Sequence, residues 1–183
     1  MIYLYAGHVA DKNSKNYDPG AVANGFIEAD LAMILRNKVS IILKANNIPH
    51  IIDNDGEKLG QVINKTKSTE KDVILDIHWN KGVATANGCE VFIPERHTDN
   101  ERKTAKKILD GVVSVTGLRS RGVKTESQSA RKVLGIMRPL GINLLIEVCF
   151  VSNMEDMQKY LSNIDTVAKV IAFNLIEAEN LIK

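Results

Sequence analysis

The chain lacks most of the features that would place it quickly. Only two cysteines occur, Cys89 and Cys149, each inside an apolar, strand-like segment. That excludes a disulfide framework, which belongs to smaller, Cys-dense secreted chains, and it predicts two buried, reduced thiols. Net charge is only +2, too little to argue for a nucleic-acid partner, although slight basicity helps a protein approach acidic surfaces such as bacterial walls. No run approaches the ~18 apolar residues that would span a bilayer, so membrane insertion is not expected. Met1–Lys12 shows no basic leader followed by an apolar stretch, which predicts a protein made in the cytoplasm without a signal peptide. Charges of both signs are interspersed, and neither an internal repeat nor a low-complexity linker breaks the chain.

Against these absences stands an ordinary globular balance, 44% hydrophobic and 25% charged over 183 residues, which suits a soluble protein. It is enough for one domain, 1–183, with a full core. Ile2–Tyr5 reads as a short strand, and Asn13–Asn24 as a polar loop with a turn cluster at Asp18-Pro19-Gly20. From Ile27 to about Asn46 the pattern turns helical, with Leu31, Leu35, Val39, Ile42 and Leu43 at spacings of three and four. His50–Ile52 is a strand, Lys58–Lys67 a weaker helix, and Val73–Ile77 and Cys89–Ile93 are buried strands. Thr98–Thr116 is a helix stopped by Gly117, and the Gly- and Ser-containing stretch at Arg119–Gly122 reads as exposed. Leu144–Val151 is the most apolar strand. Thr166–Ile182 closes the chain as a helix with Val170, Phe173 and Ile176 inward. Strands alternating with helices of this length predict an α/β domain, its mostly parallel or mixed twisted sheet covered by helices on both faces.

A few titratable residues do not suit a bland core. Glu28 falls on the apolar face of the first helix (28, 32, 35, 39, 42), where an ionised carboxylate needs a partner; its place near a helix start, favoured by the dipole, is the plainer explanation. Glu147 interrupts the apolar run Leu144–Val151, and a lone carboxylate there demands a role. In an α/β sheet such a residue faces the crevice where these folds hold ligands. His78 closes the strand run Val73–His78, and His8 follows Gly7 just past the first strand. His50 and His97 lack this context. Two histidines and one carboxylate with an open position form the donor set of a catalytic zinc site, and a further Glu suits a general base. No ligand pair is locally spaced, so the pattern alone supports zinc only weakly.

These residues carry a resemblance to the zinc N-acetylmuramoyl-L-alanine amidases of bacterial wall-remodelling enzymes and phage endolysins. Gly7-His8 is similar to that family's first-strand Gly-His, and Asp18-Pro19-Gly20-Ala21 to its Asp-x-Gly-Ala. Glu28 opens the first long helix as the second ligand does, and Asp76-Ile77-His78-Trp79-Asn80 resembles Ser-Ile-His-x-Asn. Gly88–Phe92, Arg121-Gly122-Val123-Lys124 and Leu145–Asn153 match later segments, the last looking most like endolysins from phages of Gram-positive hosts. Two departures border the cleft: the first motif lacks a second Gly pair, and Gly135–Asn143 differs from many relatives.

The resemblance implies one Zn²⁺ on His8, Glu28 and His78, with Glu147 moving protons, and peptidoglycan as the substrate. It also implies a holin-type partner to release a leaderless enzyme to the wall. No wall-binding module follows in this chain. Lys124 could meet a stem-peptide carboxylate or simply be solvated, Asn80 is a cleft candidate, and Trp79 could stack on sugar or pack in the core. A zinc carboxypeptidase acting on wall peptides, or a non-catalytic wall-binding domain, are the rival readings.

Overall fold

Ile2–Ala6 is buried along its whole length and forms β1. A continuous apolar run of this kind belongs to a strand covered on both faces. The computed structural model describes residues 1–182. Its main sheet has six strands: β1, β4 (His50–Ile52), β5 (Val73–Asn80), β6 (Cys89–Ile93), β7 (Ser120–Thr125) and β8 (Ile142–Phe150). They lie in the order β4-β1-β5-β8-β6-β7. The pairs β1/β4, β1/β5, β5/β8 and β6/β7 are parallel, while β6/β8 is antiparallel, so the sheet is mixed.

The two faces of the sheet are covered unequally. One carries α1 (Glu28–Ala45), α3 (Asp99–Thr116), α4 (Met154–Leu161) and α5 (Ile164–Leu181), whose apolar stripes pack on the larger core with Leu4, Leu75, Ile77 and Ile146. The other is covered thinly. There Tyr3, Tyr5, Ile74, Phe92 and Leu145 meet Val62 and Ile63 of α2 (Leu59–Lys65), Leu134, and the short helical turn at Gly135–Met137. Side chains alternate along a strand, so Asp76, His78, Glu90 and Glu147 project toward this thinner side.

Capping explains the sharp limits of α3. Thr98 Oγ1 accepts from the Glu101 amide at 3.2 Å and Glu101 Oε2 accepts from the Thr98 amide at 2.6 Å, a reciprocal capping box. Gly117 ends the helix in the left-handed region at φ 68°, as its lack of a Cβ allows.

Three readings need correction or extension. Arg119–Gly122 is not simply an exposed stretch, because Ser120–Thr125 adds the edge strand β7, with a register shift between Cys89 and Val91 on its partner. Its Ser, Arg and Gly residues carry no apolar signal because the strand turns polar side chains to a cleft. In α5, Phe173 points outward and is 54% exposed, while Val167, Ala168, Ile171, Ala172 and Leu175 are buried. Val170 and Ile176 are partly buried and pack against the core as expected, at the border of a stripe that runs through Val167, Ile171 and Leu175 with small alanines between them, so Phe173 alone falls on the outer side. Finally, Val22–Ala23 and Phe26–Ile27 pair as a small hairpin, β2 and β3, around Asn24 and Gly25, both at positive φ, which is the Asn-Gly turn expected between twisted strands.

Candidate active site

Adjacent strands bring distant residues together here. The amide of Gly7 donates to Ile77 O at 2.9 Å, setting His8 just beyond the end of β1 and beside β5. His8 itself has φ 69°, an uncommon conformation for a non-glycine residue that clusters at functional sites. His78 lies inside β5 and pairs in register with Glu147 of β8. Glu28, the first residue of α1, reaches the same place from the helix side.

Glu28 is buried, and its carboxylate is held at both oxygens. Oε2 accepts from the Ala21 amide at 2.7 Å and Oε1 from the Trp79 amide at 2.9 Å. Their remaining lone pairs meet the two imidazoles, His8 Nε2 at 3.1 Å from Oε2 and His78 Nδ1 at 2.9 Å from Oε1. One donor atom from each of His8, Glu28 and His78 falls within 4.8 Å of the others. The far nitrogen of each ring is also held by a carboxylate: His8 Nδ1 sits 2.9 Å from Asp18 Oδ2, and His78 Nε2 3.1 Å from Asp76 Oδ2. Carboxylates in that position fix the orientation and basicity of metal-binding histidines.

The electrostatics favour a cation. Burial works against a charged His78, yet Asp76 and then Glu28 raise its pKa well above the usual value; for His8, Glu28 outweighs burial in the same way. Burial would lift Glu28, but hydrogen bonds from His78 and His8 hold it far below the ordinary carboxylate range. Both rings are thus biased toward the charged form around one carboxylate, a place where a divalent ion would supply the positive charge instead, releasing protons as it binds.

Local backbone is fitted to this trio. A Cβ on Gly7 would lie 2.3 Å from His78 Cε1, and one on Gly20 would lie 2.5 Å from His8 Cδ2 and 2.6 Å from Glu28 Oε2. Glycine at both positions leaves room for the rings. The donor chemistry and this cradle both fit zinc.

Glu147 stands next to the trio with a different character. Its Oε2 is buried without a hydrogen-bond partner. Burial, reinforced by Glu28 and Glu90 against the opposing histidines, pushes its carboxyl up to about 8. A carboxyl in that range can both take and give a proton near neutral pH.

These residues line one cleft of about 910 Å³, together with Asn80, Glu90, Phe92, Arg121, Lys124 and Phe150. Asn80 and Lys124 do lie in it, meeting at Glu90. The Trp79 ring is in the core, 2% exposed and edge-on to Tyr160 at 5.2 Å, so it offers no sugar platform. His50 bonds Ser40 and Ile48, and His97 bonds Pro94 and Arg102. Neither joins the site. Sequence reasoning missed Asp76 and Glu90, although each, like Glu147, is a lone acid inside an apolar strand. Both cysteines are free and buried.

A family profile described as N-acetylmuramoyl-L-alanine amidase matches residues 2–176. The chain belongs to that family. A relative of this amidase, the uncharacterized protein YqiI of Bacillus subtilis (strain 168), is 30% identical over 162 residues, which cover 86% of this chain and 73% of that protein. Among solved structures, the N-acetylmuramoyl-L-alanine amidase of Clostridium difficile 630 has a TM-score of 0.78 at 20% identity, covering 96% of this chain and 94% of its own. The catalytic domain of the CD27L endolysin targeting Clostridia difficile has a TM-score of 0.74 at 18% identity, covering 96% of each chain. At such identities these two likenesses show the fold of the amidase. Among its described residues, no helix is long and apolar enough to cross a membrane.

Proposed function

We propose that this amidase hydrolyses the amide between the lactyl group of N-acetylmuramic acid and L-alanine in peptidoglycan, with zinc held by His8, Glu28 and His78 and with Glu147 carrying the protons. The observation that supports this most is the meeting of one donor atom from each of the three residues within 4.8 Å, beside a carboxyl held up to about 8. When bound there, zinc would supply Lewis acidity, lowering the pKa of water and polarising a carbonyl.

The chain's own residues do the rest. The Ala21 and Trp79 amides hold and aim the Glu28 carboxylate, while Asp18 and Asp76 hold the far nitrogens of the imidazoles. A positive charge in the trio offsets the burial of Glu147 and brings it toward the working pH. Glu147 then accepts a proton from the attacking water as oxygen bonds to the carbonyl carbon. It returns that proton to the amide nitrogen as the C–N bond breaks, so the amine leaves neutral. The water's other proton stays with the new carboxylic acid until solvent takes it. The endolysin-like sequence motif at Leu145–Asn153 carries the further proposal of a lysis setting, with a holin-type protein as the route to the wall.

Digestion of purified Gram-positive peptidoglycan, read by mass spectrometry, tests this. New L-alanine amino termini on intact glycan strands are expected, lost on chelation and reduced about 10²–10⁴-fold in Glu147→Gln, which should still bind zinc. Cleavage surviving both treatments would overturn the mechanism. New termini within the peptide would move the bond to that of a carboxypeptidase or endopeptidase.

A further inference from the structure

Glu90 lies one strand over from the proton carrier, its backbone paired in register with Glu147. It is buried yet ionised. Burial would raise its pKa, and hydrogen bonds from Lys124, Arg121 and Asn80 hold it down. Oε1 accepts from Asn80 Nδ2 at 2.7 Å, while Oε2 accepts from Arg121 Nε at 3.0 Å and from Lys124 Nζ. One acid therefore gathers two cations, and the cluster keeps a surplus positive charge.

Both cations retain unused capacity. An ammonium has three donors, and Lys124 spends one on Glu90. Arg121 spends Nε on Glu90 and Nη1 on Asn87 O, and its guanidinium stacks over the Phe150 ring at 5.0 Å. Among the described residues, Nη2 donates to none. Each side chain is about a quarter exposed and lines the cleft shared with His8, Glu28, His78 and Glu147. If Glu90 merely completed the strand core, an apolar residue would fill the place at less cost, because a buried ion pair rarely gains over a packed hydrophobe. A carboxylate that pins two long cations at a cleft wall instead pre-orders them for an anion, sparing the entropy of fixing them at each binding event.

We propose that Lys124 and Arg121, held by Glu90, form a subsite for a free carboxylate on the stem peptide, next to the scissile amide. This rests on the amidase reading above and names the peptides that it prefers. The pair selects stems whose residue after the L-alanine carries an ionised α-carboxylate, and it disfavours the same stems with that group amidated. Arg121 supplies a planar edge and Lys124 a point charge, the two complementary ways of meeting a carboxylate.

The test uses the zinc-loaded full chain and two soluble muramyl peptides that differ only in carboxylate or carboxamide at that position. Wild type should favour the carboxylate by about 10–100-fold in kcat/KM, the worth of one charge-assisted hydrogen bond in a cleft. In Lys124→Gln that ratio should fall toward one, and Lys124→Arg should restore much of it. Affinities of the Glu147→Gln chain for both peptides, by calorimetry, should show the same preference without turnover. Equal use of both peptides by wild type, or an unchanged ratio in Lys124→Gln, would overturn the subsite while leaving the amidase reading intact. Failure to cleave either peptide at the muramyl amide would instead sink the activity on which the subsite depends.

Discussion

Asp76 and Asp18 each hold the imidazole nitrogen turned away from Glu28, Nε2 of His78 and Nδ1 of His8, but in unequal surroundings. The Asp76 side chain is 4% exposed and that of Asp18 is 56%. A carboxylate in contact with solvent is screened and contributes little, whereas a buried one fixes its histidine. Asp76→Ala should therefore weaken zinc binding about 10–100-fold, and Asp18→Ala much less. Competition for zinc against a chelator of known affinity measures both, and equal losses would contradict the argument. Single residues were the easiest part to read from sequence where charge broke an apolar pattern, as at Glu147 and Glu28. The same signal was present at Asp76 and Glu90. What sequence could not show is which buried acid faces a histidine and which faces a lysine, since that depends on strand order.

Between α3 and α5 the contact is set by a glycine. A Cβ on Gly111 would fall 2.6 Å from Val170 Cγ1, and valine, branched at Cβ, has little freedom to turn aside. Gly111→Ala gains ~1 kcal/mol of helix propensity and loses ~1–3 kcal/mol to overpacking. The balance should be a net loss of about 1 kcal/mol, lowering Tm by ~2–4 °C in a domain of this size. Calorimetry checks this, and Val170→Ala in the same chain should recover part of the loss. If Gly111→Ala alone raised Tm, the close approach would not be a constraint. Elements were legible where period and caps agreed, as in α1 and in α3 between Thr98 and Gly117. They were obscured where tertiary context decided: β7 is a strand because β6 offers an edge, and in α5 Phe173 lies outward although Val170 and Ile176 pack on the core.

Over the whole molecule, the thickly covered face supplies the larger core and the thin face holds the chemistry, so ionisation at the site feeds back on stability. Take the metal-free chain. The Glu147 carboxyl moves from 4.5 to about 8 on folding. Below pH 4.5 both folded and unfolded chains keep this proton; between there and about 8 only the folded chain does. Stability from this group thus falls as pH rises, by at most ~1.4 kcal/mol per unit. Glu147→Gln removes that loss, so urea unfolding in chelator should show the variant gaining on wild type from pH 5 to 8; a constant gap would contradict the shifted carboxyl. The sheet order has one more consequence, in the time domain of synthesis. His8 just past β1, Glu28 at the start of α1 and His78 in β5 all precede β6, β7 and β8 in the chain. Glu147 arrives on β8, the last strand made and the one inserted between β5 and β6. On the proposed roles, a nascent chain therefore carries its metal donors long before its proton carrier. If Glu147 carries the proton, hydrolytic competence needs β8 in place, so turnover during refolding should not begin before β8 seats between β5 and β6.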